Sequence, residues 1–316
     1  MSEQLQSDFD KIVKNSKFSN KEIQLKKDFL NKFIESGFPN RKQEDWKFLD
    51  ISQIIKKNIS DLSYFIDYSQ SNKIDPFTFV DGLEHNKIIF LNGRIEKIDF
   101  NHEDKSKIEI SDETKKDISF NYENSLIDLN SAFTDKVFKI LVKKDYSLKK
   151  PLIIYHSTND SIKSTNINLR LDFELGENSC LKLIDYFTNN TTKNFINIFY
   201  NFNLEKDSIL KNYKIDKFRN DNLTYSFNNI EQGNNSVSET FILSAGSDYL
   251  KNEINCNLNG EYSSAFINGV FSLKENQQHE IRTTINHLVE NTKSYQLIKS
   301  VLGKNSKSAY QGRIFV

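Results

Sequence analysis

Cysteine is nearly absent from the chain. Cys180 and Cys256 are the only two, they lie far apart, and neither belongs to a CxxC spacing. That excludes a disulfide framework and a local zinc knuckle. An excess of charge is missing too, since 43 basic and 43 acidic residues leave a formal net charge of zero. A balanced chain has no electrostatic footprint for nucleic acid or an anionic membrane, and it self-associates more readily than a charged one. No run approaches the roughly 18 apolar residues of a membrane span. The opening MSEQLQSDFDKIVK carries acids and no apolar core, so a secretory signal is not expected and a reducing cytoplasm is the expected compartment. There is no GxxxxGK[ST], no GxGxxG and no HExxH, which argues against an ATPase, a dinucleotide enzyme or a zinc protease. Hydrophobic residues make up only 37%, offset by 25 Phe and 13 Tyr, each able to bury a large area.

What is present divides into two styles. Leu5, Phe9, Ile12 and Val13 recur at helical spacing. Ser19-Asn20-Lys21-Glu22 forms a capping box ahead of a second helix through Phe29, Leu30, Phe33 and Ile34, which Ser36-Gly37 and Pro39 stop. Asp50 to Lys57 predicts a short third helix and Asn124 to Phe133 another. Between them Lys87 to Ile95 reads as a hairpin around Asn92-Gly93, a type I′ signal. From about Val137 helical periodicity fades and short apolar strands alternate with polar turns. The turns ending in Ser179, Ser208, Ser236 and Ser263 recur at intervals in the high twenties. The next such serine is Ser306, after a longer gap that holds Lys274-Glu275-Asn276-Gln277. Strand, turn and strand in a regular unit is the mark of a β-solenoid, whose neighbouring units cover one another. A β-sandwich with evenly spaced hairpins is the alternative.

Several segments, in their order, carry a family resemblance. Arg41-Lys42-Gln43-Glu44-Asp45-Trp46-Lys47-Phe48-Leu49-Asp50 follows a helix that ends in Gly-aromatic-Pro. Phe90-Leu-Asn-Gly-Arg94, Lys150-Pro-Leu-Ile-Ile-Tyr-His156 and Leu258-Asn-Gly-Glu261 come next. His287, Gln296, Lys299, Ser306 and Gly312-Arg-Ile314 close the series. Over almost the whole chain this resembles the SufD branch of the SufB/SufD family of SUF iron–sulfur cluster assembly proteins; SufB shares the late segments but generally not the Trp-Lys entry. The positions that carry the likeness are Arg41, Glu44, Trp46, Lys47, Asn92, Gly93, Arg94, Pro151, Lys299 and Gly312.

The resemblance implies a mainly β protein. Residues 1–135 would be an N-terminal helical and mixed region with a β-hairpin near 87–100. Residues 136–316 would be a right-handed parallel β-helix, incomplete at its C-terminal end, with the family's C-terminal helical domain missing. It also implies a non-catalytic scaffold that pairs with SufB through the β-helices and works with the ATPase SufC. SufC binding is in doubt without the C-terminal helices, and a homodimer is the other pairing open to the chain. No cofactor is expected on the chain alone; a transient iron–sulfur cluster is expected at the SufB–SufD interface. Nucleic-acid and membrane partners are not expected.

No catalytic residue stands out. His287 fits a histidine position of the family's late rungs and could ligate iron, though a lone histidine is more often satisfied by its neighbours, here by the backbone of a neighbouring rung. His279 is a weaker candidate. Cys256, and Cys180 beside it in argument, could carry persulfide or bind soft iron, but free cysteines usually pack as small hydrophobes. Trp46 reads as an anchor between the helical region and the β part, with Arg41, Glu44 and Lys47 in surface pairs. Glu253, Glu261, Glu275, Glu280 and Glu290 invite comparison with β-helical carbohydrate-active enzymes, which need paired carboxylates; these acids read mostly as solvated decoration. A purely structural β-solenoid is the third reading.

Overall fold

The computed structural model describes residues 2–59, 61–68, 80–113, 123–188, 193–217 and 220–316. Helix α1 (Ser2–Asn15) is followed by α2 (Asn20–Ser36), which starts where the sequence predicts. Ser19 N donates to the Glu22 carboxylate at 2.7 Å and Glu22 N donates back to Ser19 Oγ at 3.3 Å. Gly37, at φ 67, ends the helix with an N–H bond to the Phe33 carbonyl. A single 3₁₀ turn, Glu44–Trp46, leads to α3 (Ile51–Ile54), capped by Asp50 on the N–H of Gln53 at 2.9 Å. The predicted third helix is therefore present, but it changes to a π turn over Ile55–Ile59. Helix α4 (Ser125–Phe133) is capped by Asn124 and packs on α2.

Strands β1 (Asn86–Leu91) and β2 (Arg94–Asp99) form the hairpin. Asn92 and Gly93 both have positive φ, 51 and 84, as a type I′ turn requires. A Cβ on Gly93 would stand 2.7 Å from Ile167 Cγ2, so the turn presses on the next layer. Strands β3 (Ile108–Glu113) and β4 (Val137–Val142) pair antiparallel. After them run β5 (Leu152–Ser157), β6 (Asn166–Leu175), β7 (Cys180–Phe187), β8 (Phe195–Leu204), β9 (Ile209–Asp216) and β10 (Asn220–Gln232). Then come β11 (Val237–Ser244), β12 (Ser247–Leu258), β13 (Ser264–Leu273), β14 (Gln278–His287), β15 (Lys293–Leu302) and β16 (Lys307–Phe315).

From β4 onward each strand pairs in parallel with the next but one. One sheet has the order β15-β13-β11-β9-β7-β5-β1-β2 and the other β16-β14-β12-β10-β8-β6-β4-β3. The two layers face each other, as in a sandwich. The chain nevertheless crosses from one sheet to the other at every turn, which makes a β-solenoid of about six turns. Hairpins between sequence neighbours would pair antiparallel, and among the described strands only β1–β2 and β3–β4 do so.

The turns stack as well as the strands. Along the edge after the even strands, Asn178, Asp207, Asn235, Tyr262 and Asn291 all have φ between 56 and 61. Asn and Asp tolerate that region because their short side chains bond locally. The N–H groups of Asn178, Asp207 and Asn235 each reach a carbonyl of the next turn at 2.9 Å, so the ladder continues around the corner. Ser208, Ser236 and Ser263 close their turns by donating to the carbonyl three residues back, and Thr292 takes the same role in the following turn. Ser306 lies on the opposite edge, above the turn that ends at Gln277. The longer gap before Ser306 in the sequence is thus a change of edge and of hydroxyl, not a skipped coil. On that opposite edge a Cβ on Gly303 would sit 1.8 Å from the Lys274 carbonyl oxygen, so only glycine fits the stacking distance.

The inside of the coil is filled by alternate residues of both sheets, among them Leu171, Phe173, Leu183, Phe202 and Ile254. A second apolar cluster lies outside the even sheet, where Leu30, Phe33, Trp46 and Leu129 cover Phe195, Phe199 and Tyr225. No helix among the described residues is long and apolar enough to cross a membrane.

Candidate functional site

The 3₁₀ turn lays Asp45 and Trp46 across the outer face of β12, β14 and β16. Trp46 is buried, 5.4 Å from the Tyr225 ring, and the ammonium of Lys251 stands 4.1 Å over its face. Lys251 is wholly enclosed and donates to the Asp45 carbonyl, to Glu280 Oε1 at 2.7 Å and towards Glu253 Oε1 at 3.3 Å. Asp45 Oδ1 in turn accepts from Arg282 at 2.6 Å and from Arg313 at 3.0 Å. Three cations thus meet three carboxylates. Burial pushes the Glu280 pKa up against the pull of Lys251, and it pushes the Tyr225 hydroxyl well above its ordinary value. A cleft of about 670 Å³ opens beside this junction, lined by α2, the Gln43–Trp46 turn, the start of α4 and Arg313. Asp128 on its wall has its pKa raised to about 6 by desolvation.

A second polar cluster lies inside the coil. Asp185 accepts from His156 Nε2 at 2.5 Å, from the Tyr200 hydroxyl at 2.6 Å and from Lys214 Nζ at 2.6 Å. Burial alone would raise the Asp185 pKa, but Lys214 and His156 outweigh it and hold the carboxyl well below the usual carboxylate range. The His156 ring is stacked between Phe90 and Phe187. Its Nδ1 has no hydrogen-bond partner among the described residues, and it borders a cavity of about 10 Å³, the size of one water-sized sphere. A buried ion pair of this kind is costly to break, because removing one member strands the other.

The residues singled out in the sequence do not converge on one place. His287 ends β14; Thr292 Oγ1 is 2.7 Å from its Nδ1 and Ser294 Oγ is 2.9 Å from its Nε2. It is satisfied by neighbours, as the plain reading expects, though by hydroxyls and not by backbone. His279 is buried between Ser244 and the Ser247 carbonyl, and burial pushes its pKa down. Cys256 faces the coil interior with its thiol pushed up to about 12 by burial, whereas Cys180 faces outward on the other sheet, half-buried. The two thiols share no site. Trp46 anchors the helical layer as expected. Arg41, Glu44 and Lys47 make no ion pair among the described residues; Asp45 makes the pairs instead. Arg94 pairs with Asp135 at 3.2 Å and lies 3.4 Å over the Tyr68 ring, holding the hairpin down. Asn92 binds Asn159 and Ser161, and Pro151 leads into β5 with its carbonyl on Asn86 N. Lys299 points outward on β15, while Gly312 sits inward on β16, where a Cβ would stand 2.7 Å from the Tyr310 hydroxyl and make that side chain shift.

The reading of the acids needs correction. Glu261, Glu275 and Glu290 are exposed at turns, but Glu253 and Glu280 are 5% and 1% exposed and belong to the Lys251 junction. Their missed signal is the coil period. Asp185–Lys214 and Lys251–Glu280 are each 29 residues apart, one turn of the coil, so opposite charges land side by side. Among the described residues no three His, Cys, Asp or Glu side chains gather as a metal site.

Residues 155–316, just over half of the chain, match the family model described as SUF system FeS cluster assembly, SufBD core domain. The chain is also 22% identical over 297 residues to the iron-sulfur cluster assembly protein SufD of Escherichia coli (strain K12), covering 91% of this chain and 68% of that protein.

Proposed function

Because the chain belongs to the SufBD family of the SUF system for iron–sulfur cluster assembly, we propose that it serves there as a non-catalytic scaffold subunit. The observation that carries this reading is the way its buried charges are tied across successive coils. Asp185 to Lys214, Lys251 to Glu280 and Glu253 to Arg282 brace neighbouring rungs. Such bracing suits a rigid platform. A carbohydrate-active β-helix needs two available carboxylates flanking a bond, and Glu253 and Glu280 are bound to cations instead.

In this proposal the coil pairs with SufB, the SUF ATPase SufC acts on the assembled complex, and a cluster forms transiently at the interface with SufB. Of the two ligand candidates, His287 keeps some exposed surface and is the one this chain offers at an interface, whereas Cys256 is enclosed in the coil and would need the coil to open. The cytoplasm is the compartment. In this proposal residue 136 marks where the helices end, although β1 to β3 precede it and already extend the two sheets. The test is co-expression with SufB and SufC, followed by affinity purification under anaerobic conditions. Co-purification with a sulfide-containing chromophore supports the proposal. A chain that is folded by circular dichroism yet recovers neither protein defeats it.

A further inference from the structure

The outer faces of the two sheets differ in chemistry. Where the helices do not cover the even sheet, asparagines ladder across it: Asn201 to Asn229 at 3.0 Å, Asn229 to Asn255 at 3.1 Å and Asn255 to Asn286 at 3.4 Å. The odd sheet has no such polar cover. Its register aligns Ile184, Tyr213 and Phe241 in one outward row and Ile215, Leu243 and Val270 in the next. Phe266 and Tyr295 extend this surface towards β15. Tyr213 is 37% and Tyr295 54% exposed. Tyr213, Phe241, Leu243, Phe266 and Val270 belong to none of the apolar clusters of the described residues. A contiguous apolar surface of this kind on a polar chain marks an interaction site.

The charges on this face select the partner. Lys182, Lys211, Lys293 and Lys299 occupy outward positions on β7, β9 and β15, and Glu239 is the only acid pointing outward from the five strands β7 to β15 of this sheet. Glu239 is already held by Lys211 at 3.1 Å. The chain as a whole is neutral, so the lysine excess is local. We propose that this face docks an acidic, amphipathic segment of another protein, with apolar side chains on the two rows and carboxylates on Lys182, Lys293 and Lys299. A second copy presenting the same face would set lysines against lysines, since a two-fold contact is self-complementary. The inference stands apart from the SUF assignment.

The test uses the full chain and a short fluorescein-labelled peptide of alternating Glu and Leu, with a Lys and Leu peptide as its counterpart, read by fluorescence anisotropy. Saturable binding of the acidic peptide alone is expected, weakening with added salt. Binding should fall at least about tenfold in Phe241→Gln and in Lys182→Glu/Lys299→Glu, and should be unchanged in Asn255→Ser on the other sheet. Circular dichroism checks that each variant is folded. Equal binding of both peptides, or no loss in the variants, overturns the proposal. So does flotation with phosphatidylglycerol vesicles that the same variants abolish, which assigns the face to a membrane. A concentration-dependent dimer in sedimentation that the same variants abolish assigns it to a second copy, with the same consequence.

Discussion

Replacing Lys251 by Met tests the junction most directly. The side chain is fully enclosed, and its ammonium is the closest cation to Glu280, 2.7 Å away. Met has nearly the same length and no charge, so the packing on Trp46 is largely kept while two carboxylates lose their shared partner. Removing one member of a buried pair costs about 3–5 kcal/mol. For a cooperative transition of a chain this size that is a fall in melting temperature of about 5–8 °C. Adding Glu280→Gln to Lys251→Met restores charge balance, with Arg282 still serving Glu253 and Asp45. The double variant should therefore recover most of the loss; about 1–2 kcal/mol should persist from the missing cation–π contact with Trp46. Urea titration of the parent, both single variants and the double gives the coupling energy. A loss below about 1 kcal/mol in Lys251→Met, or strict additivity in the double, refutes the claim that the junction works as a unit.

Three further outcomes are expected. Lys26 is buried against the carbonyls of Ser131 and Thr134, and burial lowers its pKa from 10.5 to about 8. The unfolded chain therefore holds more protons between those values, and stability should rise with pH across that window, by about 3 kcal/mol at most; a Lys26→Met variant showing the same rise would refute the assignment. Iodoacetamide on the native chain should label Cys180 well before Cys256, as peptide mass spectrometry can show, because only Cys180 has exposed surface; labelling in the reverse order would contradict the interior placement. Gly303→Ala should lose more stability than Gly37→Ala, which meets nothing within 4 Å and carries only positive-φ strain of about 1–3 kcal/mol. Equal losses by urea denaturation would mean that the stacked turns can move apart.

Much of the architecture could be read from local chemistry. The Ser19 capping box, the Asn92-Gly93 turn and the serine-closed turns each act within four residues, and each lies where its residues predict. The coil followed from turn spacing because the corners at Ser208, Ser236 and Ser263 are closed in the same way, although the Ser179 hydroxyl makes no such bond. Non-local chemistry was harder to see. Glu280 looks like any surface acid until Lys251 is placed on the neighbouring rung, and Asp185 has no significance in sequence without His156 before it and Lys214 after it. A search for opposite charges one coil period apart would have found Asp185–Lys214 and Lys251–Glu280. It would not have found Asp45, whose partners Arg282 and Arg313 lie most of the chain away.

That long reach changes how such a coil comes apart. With contacts only between adjacent turns, the rungs would peel away one at a time, each at its own small cost. Here a segment made early in synthesis lies like a strap over β12, β14 and β16, holding Lys251, Gln278, Arg282 and Arg313 together. Loosening β16 means lifting Asp45, and lifting Asp45 disturbs Trp46 and the helical layer beneath it. The outermost rungs are thereby enlisted in the melting of the whole, and hydrogen exchange in β14 should follow global unfolding and not local fraying.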